Sequence, residues 1–232
     1  SVWVNLSAFL LTIAASTIYK MMKDRMKADR MAEQKQAENL KTELSFLRSQ
    51  ISPHFVFNIL NNITALARLK SDELEPTVMK LSSLMRYMLY ETNEEKVSLQ
   101  TEVEFLQSYI DLQQQRFGTK AKICISLETG NGNVYEIEPM LLIPFVENAF
   151  KHGIGMIRNP EINVGLTIKN NILFFSVSNK YSESTQEIKD KTSGIGLTNV
   201  KRRLNLLYQN NHQLLVSKKE GWFLVSLQLN LH

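Results

Sequence analysis

The sequence predicts an α + α/β chain of two domains, with a helical first half and a mixed α/β second half. Three observations carry that expectation. Residues 21–50 are rich in Lys, Glu, Gln, Met and Ala and hold no Gly or Pro, the composition of a continuous helix. Three more stretches with helical apolar spacing follow. From Lys122 the pattern changes to alternating strands and short helices, which puts a boundary near residues 118–121. The 232 residues, 44% of them hydrophobic and 22% charged, suffice for a real core and exclude wholesale disorder. A lone Cys124 excludes a disulfide framework and any cysteine-rich zinc module. The net charge of +4 is a weak field, and no basic patch interleaved with aromatics accompanies it, so direct nucleic-acid binding is not expected.

Residues 2–19 carry no charge, and Lys20, Lys23, Arg25, Lys27 and Arg30 follow at once. A bilayer core takes about 20 apolar residues, so residues 1–20 are expected to be the C-terminal part of a transmembrane helix. A signal peptide would carry its charges before the apolar run. Asn5, Ser7, Thr12, Ser16 and Thr17 keep a buried helix of a soluble domain open as the alternative. A start at Ser1 rather than Met suggests a piece of a longer protein.

Residues 21–50 are expected to form a helical linker. Leu40, Leu44, Leu47 and Ile51 step by 4, 3 and 4, the spacing of a coiled-coil seam between two copies of the chain. A single amphipathic helix competes with that reading over so short a seam. Pro53 then interrupts the helix and bends it. After it, Phe55, Ile59, Ile63, Leu66 and Leu69, with Val56, Leu60 and Ala67, make an apolar face. His54, Asn58, Asn61, Ala65 and Arg68 make a nearly polar stripe. A second helix is expected from about Pro76 to Tyr90 with Val78, Leu81, Leu84, Met85, Met88 and Leu89 inward. A third runs from about Leu99 to Phe117 and is closed by Gly118.

In the second half, Ile123, Ile125 and Leu127 alternate as in a half-buried strand, and Gly130-Asn131-Gly132 marks a turn. A helix is expected from about Pro139 to His152. Residues 161–168 and 172–178 read as a hairpin across Asn170-Asn171. Residues 181–193 are a polar loop, residues 195–208 a helix, and residues 213–217 with 222–229 a last hairpin around Glu220-Gly221.

Two local groupings carry chemistry beside His54. On the Pro139–His152 helix, Asn148, Lys151 and His152 share one face at i, i+3 and i+4, while Leu142, Val146, Ala149 and Phe150 are free to pack inward. An amide oxygen suits Mg²⁺, and Lys and His suit phosphate charge. The plainer reading is an i, i+4 ion pair between Glu147 and Lys151, worth a few tenths of a kcal/mol. Gly194 and Gly196, with Leu197, open a helix after the polar loop, where backbone N–H groups approach a phosphate closely. No HExxH, carboxylate pair or Ser/His/Asp order supports metal hydrolysis or acyl transfer.

Residues 51–61, Ile-Ser-Pro-His-Phe-Val-Phe-Asn-Ile-Leu-Asn, resemble the histidine box of the LytS-like bacterial sensor histidine kinases. Leu84-Met85-Arg86-Tyr87, and Tyr109-Ile110-Asp111-Leu112 through Arg116-Phe117, resemble that family's later dimerisation signatures. Residues 144–153 resemble its asparagine box. Residues 194–200, with Arg202, Arg203 and Leu204, resemble its glycine box. The resemblance runs from about residue 40 to the C-terminus in the family's order. It implies a helical-hairpin dimerisation and phosphotransfer domain over 51–118, a four-helix bundle in the homodimer, followed by a Bergerat-type ATP-binding α/β sandwich over 119–232. It implies that His54 takes the γ-phosphoryl group of ATP and passes it to an aspartate of a response-regulator receiver domain, of the LytTR type, and that Asn148 holds Mg²⁺. Asn58, one turn after His54, is placed to orient the nucleophile or a water. Gly194, Gly196, Leu197, Lys151 and His152 would surround the nucleotide. The implied location is the bacterial cytoplasmic membrane, with residues after about 20 in the cytoplasm.

Two departures stand against that pattern. Where the family has D-x-G-x-G for adenine, this chain has Asn179-Lys180-Tyr181-Ser182. Asn179 still accepts a hydrogen bond but lacks charge, a loss on the order of 1 kcal/mol. Phe55 follows His54 where many histidine kinases place an acidic base, and Glu147 is its nearest analogue. The missing glycines motivate an alternative, a degenerate kinase acting as a dimeric, membrane-tethered signalling scaffold.

Overall fold

In a computed structural model, the structure describes residues 16–27, 29–31, 34–35, 53–130, 134–155, 157–181 and 195–231. The chain divides into two compact units, Ser1–Ser49 and Gln50–His232. In the first, α1 (residues 16–27) is a helix with exposed side chains. Among the described residues no helix is long and apolar enough to cross a membrane. Most of the apolar run at 2–19, and the seam at Leu40, Leu44, Leu47 and Ile51, lie outside the described residues.

The second unit begins with α2 (Pro53–Arg68), α3 (Leu74–Tyr90) and α4 (Leu99–Phe117). Phe55 and Ile59 of α2 are buried as the spacing predicts, whereas Leu60 and Leu69 are exposed. On α3 the buried row is Thr77, Leu81, Leu84 and Tyr87. Val78, Met85 and Leu89, expected inward, are instead 44%, 41% and 62% exposed. The reason is that α3 turns a polar-edged row toward α4. Thr77 Oγ1 donates to Gln115 Oε1 (2.9 Å), Lys80 Nζ meets Asp111 Oδ2 (2.6 Å), and Tyr87 stacks on Phe105 with centroids 4.2 Å apart. Ser98 caps the start of α4 by accepting from Thr101 N (3.0 Å), and Gly118 ends it with φ +53°, as its position predicts.

Two short strands absent from the sequence reading, β1 (Val97–Ser98) and β3 (Glu136–Ile137), pair antiparallel and tie the α3–α4 connection to the segment ahead of α5 (Ile143–Gly153). The main sheet runs β2-β4-β5-β7-β6, from β2 (Lys122–Leu127), β4 (Glu161–Lys169), β5 (Ile172–Lys180), β6 (His212–Lys219) and β7 (Trp222–Asn230). β2 pairs parallel to β4 and the other neighbours are antiparallel. Both expected hairpins form. Asn170 (φ +52°) and Asn171 (φ +59°) take the left-handed conformations that a two-residue hairpin turn needs, as do Glu220 (+53°) and Gly221 (+76°). One sheet face is apolar: Ile162, Val164 and Leu166 on β4, Leu173, Phe175 and Val177 on β5, and Val225, Leu227 and Leu229 on β7. It forms one core with Phe145, Val146, Ala149 and Phe150 of α5 and with Val200 and Leu204 of α6 (Ile195–Tyr208). Asn179 ends the inward row of β5, a polar residue at the end of an apolar line.

Candidate nucleotide and phosphotransfer site

Four of the candidate residues, Glu147, Asn148, Lys151 and His152, lie on α5, and Asn179 meets its end. The sequence reading starts this helix at Pro139, but it begins at Ile143, and residues 139–142 form a turn. The backbone groups of that turn are taken by buried side chains instead of by helical bonds. Arg203 of α6 donates from Nη1 to Met140 O (2.9 Å) and from Nη2 to Pro139 O (2.5 Å). Glu102 of α4 accepts from Met140 N (2.9 Å) and Leu142 N (3.1 Å). Met140 accordingly sits at φ +57°, a conformation that persists in a non-glycine residue only when its surroundings hold it. Downstream, Asn148 and His152 are half-buried and Lys151 is exposed, so the polar side of α5 stays accessible while Phe145, Val146, Ala149 and Phe150 bury the other.

The far end of α5 meets the end of β5. A Cβ added to Gly153 would lie 2.6 Å from Asn179 Cβ and 3.1 Å from its Cγ and Nδ2. Asn179 is 1% exposed, and its Nδ2 donates to Lys180 O (2.9 Å), which fixes the amide's orientation. Its Oδ1 is buried with no hydrogen-bond partner among the described residues. A sealed acceptor of this kind costs about 1–3 kcal/mol unless something donates to it. As an acceptor it calls for a donor.

The start of α2 is joined to α5 through Tyr109. The Phe55 ring, next in sequence to His54, stacks on Tyr109 with centroids 4.5 Å apart, and Tyr109 meets Phe150 edge-on at 6.1 Å. Burial pushes the Tyr109 hydroxyl well above its ordinary range, and the nearby Glu147 carboxylate pushes it further, so this ring is neutral and Glu147 lies beside it. His54 occupies the first turn of α2, and its side chain lies outside the described residues. Asn58 and Glu147 are both half-buried.

Gly194 also lies outside the described residues. Gly196 is in the first turn of α6, where an added Cβ would meet nothing within 4 Å among the described residues, and Leu197 packs against the core. Among the described residues no group of three His, Cys, Asp or Glu could hold a metal alone. Gly153 and Arg203 lie within the boxes quoted from the sequence but had no role of their own there, and Glu102 was not singled out at all. Gly153 is needed for its lack of a side chain, and Glu102 and Arg203 for a turn they reach across more than 35 residues of sequence.

Residues 42–121 match the family described as histidine kinase, and residues 140–230 match the GHKL domain. Sensor histidine kinase YpdA of Escherichia coli is 32% identical over 186 residues, covering 76% of this chain and 32% of that protein. Sensor protein LytS of Streptococcus mutans is 30% identical over 194 residues, covering 78% of this chain and 33% of that one. The chain spans about a third of the length of these curated relatives. Among solved structures, the histidine kinase domain of a blue-light activated histidine kinase from Erythrobacter litoralis aligns with a TM-score of 0.46 at 14% identity, over 84% of this chain and 96% of that one.

Proposed function

The chain belongs to the LytS-like histidine kinase family, and from that premise we propose that it is the ATP-dependent kinase part of a two-component sensor. In this reading His54 attacks the γ-phosphoryl group of ATP. The Nε2 or Nδ1 to phosphorus bond forms as the bond to the bridging oxygen of ADP breaks, and the imidazole proton leaves to solvent or a base. The phosphoryl group then passes to an aspartate of a receiver domain, of the LytTR type. Asn58 orients the nucleophile, and Glu147 is the group assigned to take its proton. Asn148 would hold Mg²⁺, which would supply charge neutralisation for the phosphates. Lys151, His152, Gly194, Gly196 and Leu197 surround the nucleotide. Residues 51–118 act as the dimerisation and phosphotransfer part and residues 119–232 as the ATP-binding part. The exposed apolar side chains Phe57, Leu60, Val78, Met85 and Leu89 of α2 and α3 support pairing with a second copy. The uncharged run at 2–19 with its basic flank supports a tether at the bacterial cytoplasmic membrane.

The observation that carries the reading is the buried, unpartnered Oδ1 of Asn179 at the end of β5, against Gly153 of α5. It speaks for nucleotide binding in spite of the missing aspartate and glycines. The test is incubation of the chain with Mg²⁺ and ATP labelled at the γ position. An acid-labile, base-stable phosphoprotein is expected. No label at millimolar ATP would favour the scaffold alternative.

Asn179 also sets a preference. Guanine offers a 6-oxo acceptor where adenine offers an amine, so GTP would oppose two acceptors in a dry site. ATP is expected to bind roughly tenfold or more tighter than GTP, and Asn179→Leu to lower ATP affinity and erase the difference. Competition titrations with the two nucleotides check this, and an unchanged ratio in the variant removes Asn179 from base recognition.

A further inference from the structure

A buried polar cluster joins α3, α4, the 139–142 turn and α6. Glu102 is 0% exposed. Its Oε2 accepts from the Tyr87 hydroxyl and from Met140 N, and its Oε1 from Leu142 N. Met140 N is also 3.3 Å from the Tyr87 hydroxyl. Arg203, 3% exposed, grips the carbonyls of the same turn. The turn is thus held on its amides by a carboxylate from α4 and on its carbonyls by a guanidinium from α6.

We propose that Glu102, bridged to α3 by Tyr87, is a positioning residue for the nucleotide site, fixing where α5 begins and hence how Asn148 and Lys151 are presented. The inference rests on the reading of α5 and α6 as nucleotide-binding. Two considerations carry it. First, the sequence starts α5 at Pro139, and the side chains that hold the turn delay the start to Ile143, about one helical turn, which sets the rotation of every later residue on the helix. Second, stability alone is a poor reason for such a cluster. Burial pushes the Glu102 carboxyl above its ordinary range, and the Tyr87 hydroxyl, the two amides and Arg203 only oppose that. A well-packed apolar replacement for a buried charged group is commonly as stable, so the cluster's distinctive product is directional geometry. Tyr87 extends that geometry to α3, whose register against α4 is further set by Thr77–Gln115 and Lys80–Asp111. Movement of α3 therefore reaches the entry of α5 through three consecutive hydrogen-bonded groups.

The test uses the whole chain with Tyr87→Phe, which keeps the ring stacked on Phe105, and with Glu102→Gln, which replaces one acceptor by a donor facing an amide N–H. Amide hydrogen exchange is expected to quicken selectively over residues 139–153 in both variants while the β4–β5 hairpin keeps its protection. The Kd for ATP is expected to rise roughly three- to tenfold in Tyr87→Phe and more in Glu102→Gln. Exchange that quickens evenly across the molecule, or is unchanged over 139–153, overturns the positioning role. Unaltered ATP affinity in both variants also overturns it. If the unsubstituted chain binds no ATP, the nucleotide reading fails on its own, and the exchange pattern still decides whether Glu102 sets the start of α5. Should Glu102→Gln not fold, Tyr87→Phe alone is decisive.

Discussion

Replacing His54 with Gln is expected to abolish phosphoryl incorporation from ATP, by about 1,000-fold or more, while leaving ATP affinity within about twofold. Glutamine is close to histidine in length and polarity but has no basic ring nitrogen, so it removes the nucleophile with little else. The fold around the position has its own anchors. Phe55, the next residue, is 3% exposed and stacked on Tyr109, and Ile59 one turn later is fully buried. Those contacts hold the start of α2 whatever occupies position 54. Unperturbed imidazole is largely neutral at pH 7 and keeps a basic lone pair, whereas an ordinary Lys is protonated and a Ser hydroxyl is only weakly nucleophilic at that pH. The chain has three other histidines. His152 lies on α5 and His212 on β6, so residual label in the variant at the level of the unsubstituted chain would move the phosphorylation site away from α2. Gel assay of acid-labile label, beside a nucleotide titration of the same preparation, separates loss of chemistry from loss of binding.

The link from Phe55 through Tyr109 to Phe150 gives that experiment a structural setting. It connects the helix bearing the proposed nucleophile to the helix bearing Asn148 by ring contacts at 4.5 and 6.1 Å. Aromatic contacts of this type are worth about 0.5–1.5 kcal/mol each beyond burial.

What the sequence disclosed follows the range of the forces involved. The turns at Asn170-Asn171 and Glu220-Gly221 and the end of α4 at Gly118 were legible because each depends on the backbone freedom of one or two residues. The β4–β5 hairpin was legible from its turn and its apolar runs, though β5 extends to Lys180, beyond the expected end at Ser178, and so takes in Asn179. The face of α3 was not. Apolar spacing put Val78, Met85 and Leu89 inside, but Thr77, Lys80 and Tyr87 find partners on α4, and side-chain partners on another helix leave no periodic trace. The start of α5 failed for a related reason. Pro139 reads as a helix opener, yet the carbonyls of Pro139 and Met140 are claimed by Arg203, 63 or 64 residues further on. The pair β1 and β3 is two residues a side, too short for any pattern.

Gly153→Ala is the substitution that tests the nucleotide site most directly, because it adds a single methyl group at the one place where α5 and β5 have no room for it. The glycine is not needed for a left-handed backbone, since its φ lies outside that region; it is needed for space. The new Cβ would stand 2.6 Å from Asn179 Cβ, well inside contact distance, and that neighbour is the root of a side chain in a strand paired on both edges, to Ile162 and Phe223. Rotating a flexible tip cannot relieve the clash, so the end of α5 and the end of β5 must part. Overpacking of this kind costs about 1–3 kcal/mol, and the Tm is expected to fall by several degrees. The larger effect falls on binding. The unpartnered Oδ1 of Asn179 is useful only while Lys180 O holds the amide at 2.9 Å and the strand holds the amide in place, so ATP affinity is expected to drop at least tenfold. A double variant separates the two consequences. Asn179→Gly in the Gly153→Ala background removes the opposing Cβ and is expected to restore much of the lost Tm while ATP affinity stays low, a strongly non-additive pair in stability. If stability instead falls further in the double variant, steric opposition between these two residues is not what shapes this end of the site. If Gly153→Ala binds ATP as tightly as the unsubstituted chain, the purine lies elsewhere than against Asn179.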